Sequence, residues 1–350
     1  MINTQKLVVA LGMALLTPTV SHAFCTDSLA GSRLQVYCMS NLLGWKATNL
    51  GSAQSLDYRL KQEGYSRGIG LSGELNRVEF SPYISPLLEY SSDINGGNPS
   101  RPLELGSLTF FGDENFFRKK GVVAGFGVGG TGRAFYGEGK YLEYSIGGSY
   151  AHSIEHGIDI IRGFANACSK NDIGKNFYVD GCLTTNQLKR ELSEKTTSSA
   201  SLSLAKLLSD SGENFHQASF GIRRLFDDEY EQNQLVFELD TLHSSGIYTA
   251  LNASFGGSTE NTLTMRNSLN AVLSTDILSK PVSLSASYSY SDGGRILGSS
   301  RNETSKSISL TYAVHPRVKV LLGYLHTSSN IDYFNISEII VGVQFAPIQF

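Results

Sequence analysis

Outside its first residues the chain has no long apolar run. Only Leu7 to Leu16 is continuously greasy, and no other stretch approaches the 18 apolar residues that a spanning helix needs. Cysteine is scarce, at four, and no CxxC pair occurs, so neither a zinc knuckle nor a dithiol redox motif is indicated. Tryptophan occurs once and proline eight times. Neither sign of charge dominates: 29 Lys plus Arg against 32 Asp plus Glu leaves a formal charge of -3, which argues against a nucleic-acid partner. The glycine run Gly125 to Gly132 is followed by no helix and sits in no βαβ unit, so it is not a nucleotide loop. No cofactor and no metal site is expected.

What is present is alternation. From Pro281 to Ser291, Val282, Leu284, Ala286, Tyr288 and Tyr290 alternate with Ser283, Ser285, Ser287, Ser289 and Ser291. Successive side chains of a strand point to opposite faces, so one face is apolar and the other all hydroxyl. The pattern returns in Ile308 to Val314, Val318 to Tyr324 and Ile339 to Phe345. Dyad-repeat strands of about ten residues mark a transmembrane β-barrel. Lipid offers no hydrogen-bond partners, so only helices or a closed sheet cross it. The 36 glycines and the 35 Tyr plus Phe (17 plus 18) suit turns, small lumen side chains and aromatic girdles. A soluble all-β sandwich shares much of this composition.

Residues 1–23 read as a signal peptide: Lys6, the apolar core, and Ser21-His22-Ala23 as cleavage site. Removing them leaves 327 residues (350 minus 23) and, with Lys6 gone, a formal charge of -4. The four cysteines then lie in an oxidising compartment. Spacings of 13 and 14 residues make Cys25–Cys38 and Cys168–Cys182 the simplest pairs, though three pairings are open. Residues 24–77 are less legible. They form a periplasmic segment, a lumen plug, or two further strands at Leu56 to Gln62 and Ile69 to Leu75.

The barrel is assigned to residues 78–350. Its expected strands begin with Val78 to Tyr90, Leu103 to Phe111, Lys119 to Phe135, Tyr141 to His152 and Gly157 to Ala167. Cys168 to Lys195 is expected to be the longest connection, stapled at its base, with a short surface helix in its second half. Nine strands follow, from Thr196 to Phe350. The fold class is therefore all-β, a closed antiparallel transmembrane barrel of about 14 strands, or 16 if the two early segments pair. Parity supports an even number: loops at Ser91, Cys168, Phe226, Asp292 and Ser328 fall on one side, and turns at Ser153, Ser244 and His315 on the other.

The terminal Ile339-Ile-Val-Gly-Val-Gln-Phe345-Ala-Pro-Ile-Gln-Phe350 resembles the insertion signal of Gram-negative outer-membrane barrels, with Phe350 as its last aromatic. That resemblance implies the outer membrane as location, and its lipids and barrel-insertion machinery as partners. The usual glycine five residues before the end is Phe345 here, with Gly342 displaced. Glu89-Tyr-Ser-Ser-Asp-Ile-Asn-Gly-Gly97, and Ser329-Asn-Ile-Asp-Tyr-Phe-Asn335 leading into Ile339-Ile-Val-Gly-Val343, resemble the barrel domain of surface lipoprotein assembly modifiers. That family has a 14-stranded barrel behind a helical repeat domain that this chain does not show. It implies a surface lipoprotein as partner.

With the apolar faces outward, Glu79, Glu89, Glu143, Glu238, Asp240, Arg266 and Lys319 are the candidate lumen-lining charges. They either set selectivity for a hydrophilic solute or merely neutralise one another. A barrel hydrolase is the remaining class. His216 and Ser219 are three apart on a strand, so they face opposite ways and form no dyad. No catalytic residue is assigned.

Overall fold

A computed structural model describes Cys25 and residues 30–43, 50–65, 78–210, 213–259 and 261–349. The signal peptide, Ile69 to Leu75 and Phe350 with its insertion role lie outside these. Two helices come first, α1 (Ser32–Leu43) and α2 (Leu50–Gln62). Leu56 to Gln62 is thus the end of a helix and not a strand, which removes the 16-strand alternative at that segment. Leu56, Leu60 and Glu63 fall at helical spacing, whereas Leu56, Tyr58 and Leu60 also alternate, and periodicity alone does not separate the two over so short a run.

The sheet begins with β1 (Val78–Ser91). In the connection that follows lies a small hairpin, β2 (Leu103–Leu105) and β3 (Leu108–Phe110). The wall continues through β4 (Gly121–Gly137), β5 (Lys140–Ser153), β6 (Ile158–Gly174), β7 (Phe177–Lys189), β8 (Glu194–Asp210), β9 (Asn214–Asp227) and β10 (Glu231–His243). It is completed by β11 (Tyr248–Gly256), β12 (Thr264–Ile277), β13 (Lys280–Ile296), β14 (Ser299–His315), β15 (Val318–Ser329) and β16 (Ile336–Phe345), with β17 (Ile348–Gln349) at the end. Each strand from β4 to β16 pairs antiparallel with its sequence neighbour, β1 pairs with β4, and β1 also pairs with β16 through Leu87↔Gln344 to Tyr90↔Val341. The sheet is therefore a closed antiparallel barrel of 14 strands.

The number agrees with the sequence through two offsetting corrections. Leu103 to Phe111 does not span; it folds on itself as β2 and β3 around Gly106, whose φ is +62°. Conversely, Cys168 to Lys195 is no long loop and carries no helix. β6 runs on to Gly174, turns through Lys175 and Asn176 at φ +55° and +63°, and returns as β7. Two consecutive left-handed residues make the tight hairpin turn that matches strand twist. Both disulfides are present, but Cys168 and Cys182 are direct cross-strand neighbours on β6 and β7, not the base of a loop. Because Leu103 to Phe111 does not cross, the turn after Ser153 lies at the same end as the Ser91 loop, opposite to the parity expectation.

All six connections at the end where β1 begins, here the near end, are two to four residues long. The far end carries the longer ones, led by residues 92–120. The outer face is apolar around the circumference: Leu202, Ile222, Leu235, Leu251, Leu284, Ile308, Leu322 and Ile339 are all exposed. A continuous exposed belt of this kind is a lipid-facing surface. Phe220, Phe237 and Phe255 meet on three adjacent strands, with centroids 4.8 and 6.3 Å apart. The glycine run serves this face. A Cβ on Gly130 would lie 2.1 Å from the Phe80 ring, and one on Gly132 2.5 Å from the Tyr144 ring, so the glycines seat aromatics against the backbone.

Candidate functional site in the lumen

Register carries the inward face from strand to strand. Arg133 pairs with Glu79 on β1 and Glu143 on β5, Ser149 with Arg162, Ser219 with Glu238, Gln217 with Asp240, and Lys319 with Gln344. Alternation then places Glu79, Glu89, Glu143, Glu238, Asp240 and Lys319 on the inner face. Arg266 sits at a bulge between Met265 and Asn267, with its Nε 3.7 Å from Asp292.

Two bodies occupy parts of the interior. At the near end, Leu34, Cys38 and Met39 of α1, Leu56 of α2, and Cys25 pack with Tyr178, Ala205, Leu207, Phe215, Leu242 and Tyr248. Those wall residues come from five adjacent strands and one face, so the helices lie on the concave side. Burial of this apolar surface is the main attraction. Polar contacts fix its orientation. Arg33 is 7% exposed, and its Nη1 donates to both carboxylate oxygens of Asp180 at 2.9 Å. Lys170 also reaches Asp180, at 3.1 Å. Glu63, 1% exposed, accepts from Tyr141 at 2.8 Å and from Arg133 at 3.3 Å; Arg133 in turn holds Glu143 at 2.7 Å. Tyr65 donates to Asp172. Burial would depress the Arg33 guanidinium, but Asp180 beside it more than reverses this and holds its pKa above the ordinary value. Burial, then donation to Asp172, holds the Tyr65 hydroxyl far above the usual tyrosine range.

At the far end, residues 92–120 reach over the mouth. Ile94, fully buried, packs with Val123, Ala151, Ile158 and Ile160. Asp93 pairs with Arg190 at 2.7 Å, Arg118 with Glu338 at 2.8 Å, and Arg101 donates to the carbonyl of Tyr333 at 3.1 Å. On the wall below, Arg162 pairs with Glu89. Charges on this side of the lumen are thus mutually neutralised.

The opposite wall differs. Ser285 bonds Ser309 and Ser287 bonds Ser307, each at 2.7 Å, and Ser254 bonds Ser268 at 2.7 Å. Ser287 and Glu238 point inward yet are exposed, so space lies in front of them. Glu238 accepts only from Ser219 at 3.3 Å, and Asp240 from Tyr248 at 2.9 Å; neither has an ion-pair partner among the described residues. The sequence indicated these two carboxylates and Glu143, but Arg133, Arg162 and Asp180 were passed over. Arg133 and Arg162 share the inward parity of their strands, a signal that was available. Nothing local marks Arg33 or Asp180, whose contact spans 147 residues.

The histidines do not assemble a site. His216 faces outward, with Nδ1 2.9 Å from the Thr241 hydroxyl, while Ser219 faces inward. His152 sits 2.7 Å from Asp159, and His156 lies 3.0 Å from the Lys120 carbonyl. No group of three metal-ligating side chains occurs among the described residues.

No family model matches the chain, and no curated protein matches it. Among solved structures it is similar to Pseudomonas aeruginosa OccK2 (OpdF) in complex with glucuronate, at 10% identity over 78% of this chain and 96% of that one, with a TM-score of 0.40. It is similar to Pseudomonas aeruginosa OpdK with vanillate, at 11% identity over 78% and 99%, TM-score 0.40. It is also similar to Acinetobacter baumannii OccAB3, at 7% identity over 78% and 100%, TM-score 0.40. These likenesses are ones of barrel architecture.

Proposed function

We propose that the chain is a channel of the bacterial outer membrane through which a small hydrophilic solute passes. The observation that supports this reading is the half-buried, hydroxyl-lined inner wall of β13 and β14, with Ser287 exposed to the lumen. Side chains that face inward and remain wet describe a path for water and for solutes that exchange hydrogen bonds with it. The near end, with its short turns, is periplasmic and the far end extracellular. The membrane lipids cover the apolar belt, and insertion machinery places it there. The path runs past Glu238, with Asp240 buried beside it, while the neutralised charges around Arg133 and Arg118 hold the helices and the long loop in place. Catalysis is not part of this reading, since His216 and Ser219 lie on opposite faces.

Purified protein in planar lipid bilayers tests it. Stepwise current is expected; silent bilayers containing correctly folded barrel refute it.

A second reading, handling of a surface lipoprotein, is favoured by one observation. The stretches that carry that resemblance lie side by side: Glu89 and Tyr90 of the first pair with Gly342 and Val341 of the second, and Ser92 of the first donates to Glu338. Deletion of the gene with loss of a lipoprotein from the cell surface would support it; an unchanged surface would count against it.

A further inference from the structure

We propose that the outer face of β14, β15 and β16 holds a docking site for the phosphate of a lipid headgroup in the leaflet at the far end. This site goes beyond the channel reading and concerns the opposite surface of the wall. On β14 the outward residues from Val314 to Ile308 are apolar or aromatic. So are those from Val318 to Tyr324 on β15 and from Phe345 to Ile339 on β16, four on each strand. The next outward position breaks the run on all three strands: Lys306, His326 and Ser337. Register makes them one row, with Lys306 opposite His326 and His326 opposite Ser337. All three are exposed. Lys306 lies eight residues along β14 from Val314, about 21 Å along the membrane normal at the usual rise and tilt, against an apolar band of about 25 Å. The row therefore marks the far edge of the lipid-facing belt, where hydrocarbon gives way to headgroups. Tyr288, opposite Lys306 on β13, and Tyr324 flank it as the aromatic girdle.

The charge on this row is not met by protein. Other outward cations towards the far end are paired: Arg224 with Glu231, and Lys189 with Glu194 at 3.7 Å. Strands β13 to β16 carry three carboxylates, Asp292, Glu303 and Glu338, and each already lies against an arginine: Arg266, Arg301 and Arg118. Lys306 has no ion-pair partner among the described residues. An ammonium at the edge of hydrocarbon extends its stem to the interface, where the anions are phosphates. His326 adds a second donor. Its Nδ1 lies 2.9 Å from the Ser337 hydroxyl, and with that hydroxyl donating, Nε2–H is left free. Donors on adjacent strands, roughly 5 Å apart at Cβ, span the oxygens of one phosphate.

The test is native mass spectrometry of the full-length barrel in detergent, titrated with diphosphorylated lipid A and with the same lipid stripped of its phosphates. The phosphorylated form is expected to be retained about tenfold more tightly or better. Lys306→Gln is expected to weaken its retention about fivefold, the effect of one cation at a membrane surface. Lys306→Arg is expected to keep it, and Lys206→Gln, outward at the near end, to leave it unchanged. Equal retention of the two lipids, undiminished retention in Lys306→Gln, or an equal loss in Lys206→Gln overturns the proposal.

Discussion

Replacing Arg33 with methionine is expected to release the N-terminal helices from the lumen without unfolding the barrel. Methionine keeps the length and apolar stem but not the charge. Arg33 and Asp180 are both nearly buried and joined by two bonds of 2.9 Å. Removing one partner of a buried pair typically costs about 3–5 kcal/mol, because the other charge is left uncompensated. Here Lys170 stays 3.1 Å from Asp180, and Arg133 continues to hold Glu63. The residual cost is therefore roughly 2–3 kcal/mol, which shifts the docked-to-released ratio roughly 30- to 150-fold. None of it falls on the 14-strand ladder, whose hydrogen bonds do not involve residue 33. In single-channel recordings Arg33→Met is expected to show larger or more frequent high-conductance states than the parent. Limited proteolysis is expected to remove the helices first. Asp180→Asn, which leaves Arg33 only its 3.8 Å contact with Glu63, is expected to do the same. If both variants match the parent in conductance and in protease resistance, the helices are not held by this pair.

Other expectations follow from the same geometry. Leu284→Arg, on the lipid face, is expected to destabilise the refolded barrel in vesicles by about 2–4 kcal/mol, whereas Ser285→Arg, on the inner face, is expected to cost far less; denaturant titration compares them. Replacing both Cys168 and Cys182 with serine is expected to lower the unfolding midpoint by the equivalent of about 3 kcal/mol at most, with strand content by circular dichroism unchanged, since the β6–β7 ladder persists without the bridge. The Tyr65 hydroxyl is neutral in the folded state well above the pH of about 10 at which an unfolded tyrosine ionises. The folded state then binds the extra proton, so docking of the helices is expected to weaken as pH rises past that point. Protease sensitivity of the helices at pH 8 and 11 measures this, and Tyr65→Phe is expected to flatten the difference.

Most of the barrel was legible because lipid on one side and water on the other enforce a period of two, which Pro281 to Ser291 of β13 follows most closely, whereas β15 and β16 also turn Leu321, Leu325 and Ile340 inward. The misread parts share a physical cause. A cross-strand pair such as Cys168 and Cys182 has the same sequence spacing as a stapled loop, and the turn between β6 and β7 uses Lys175 with Asn176 where glycine is the stronger signal. Leu103 to Phe111 alternates as a spanning strand does, but its length allows it to fold back at Gly106. The helices were hidden for the opposite reason: they are short, and residues 56–62 satisfy both periods. The lumen charges on β1, β5 and β10 followed from parity alone. Their partners did not, because Arg33 with Asp180 and Arg118 with Glu338 are joined only once the barrel closes.

The wet inner wall is tested most directly by aqueous thiol modification during current recording. All four native cysteines are in disulfides, so an introduced cysteine is the one free thiol. Ser287→Cys is expected to conduct like the parent and to lose part of its current when a charged, water-soluble thiol reagent is added, while Ala286→Cys, one residue along on the lipid face, is expected to be unaffected. Equal responses at 286 and 287, or no current from either, would contradict a solute path along β13 and β14.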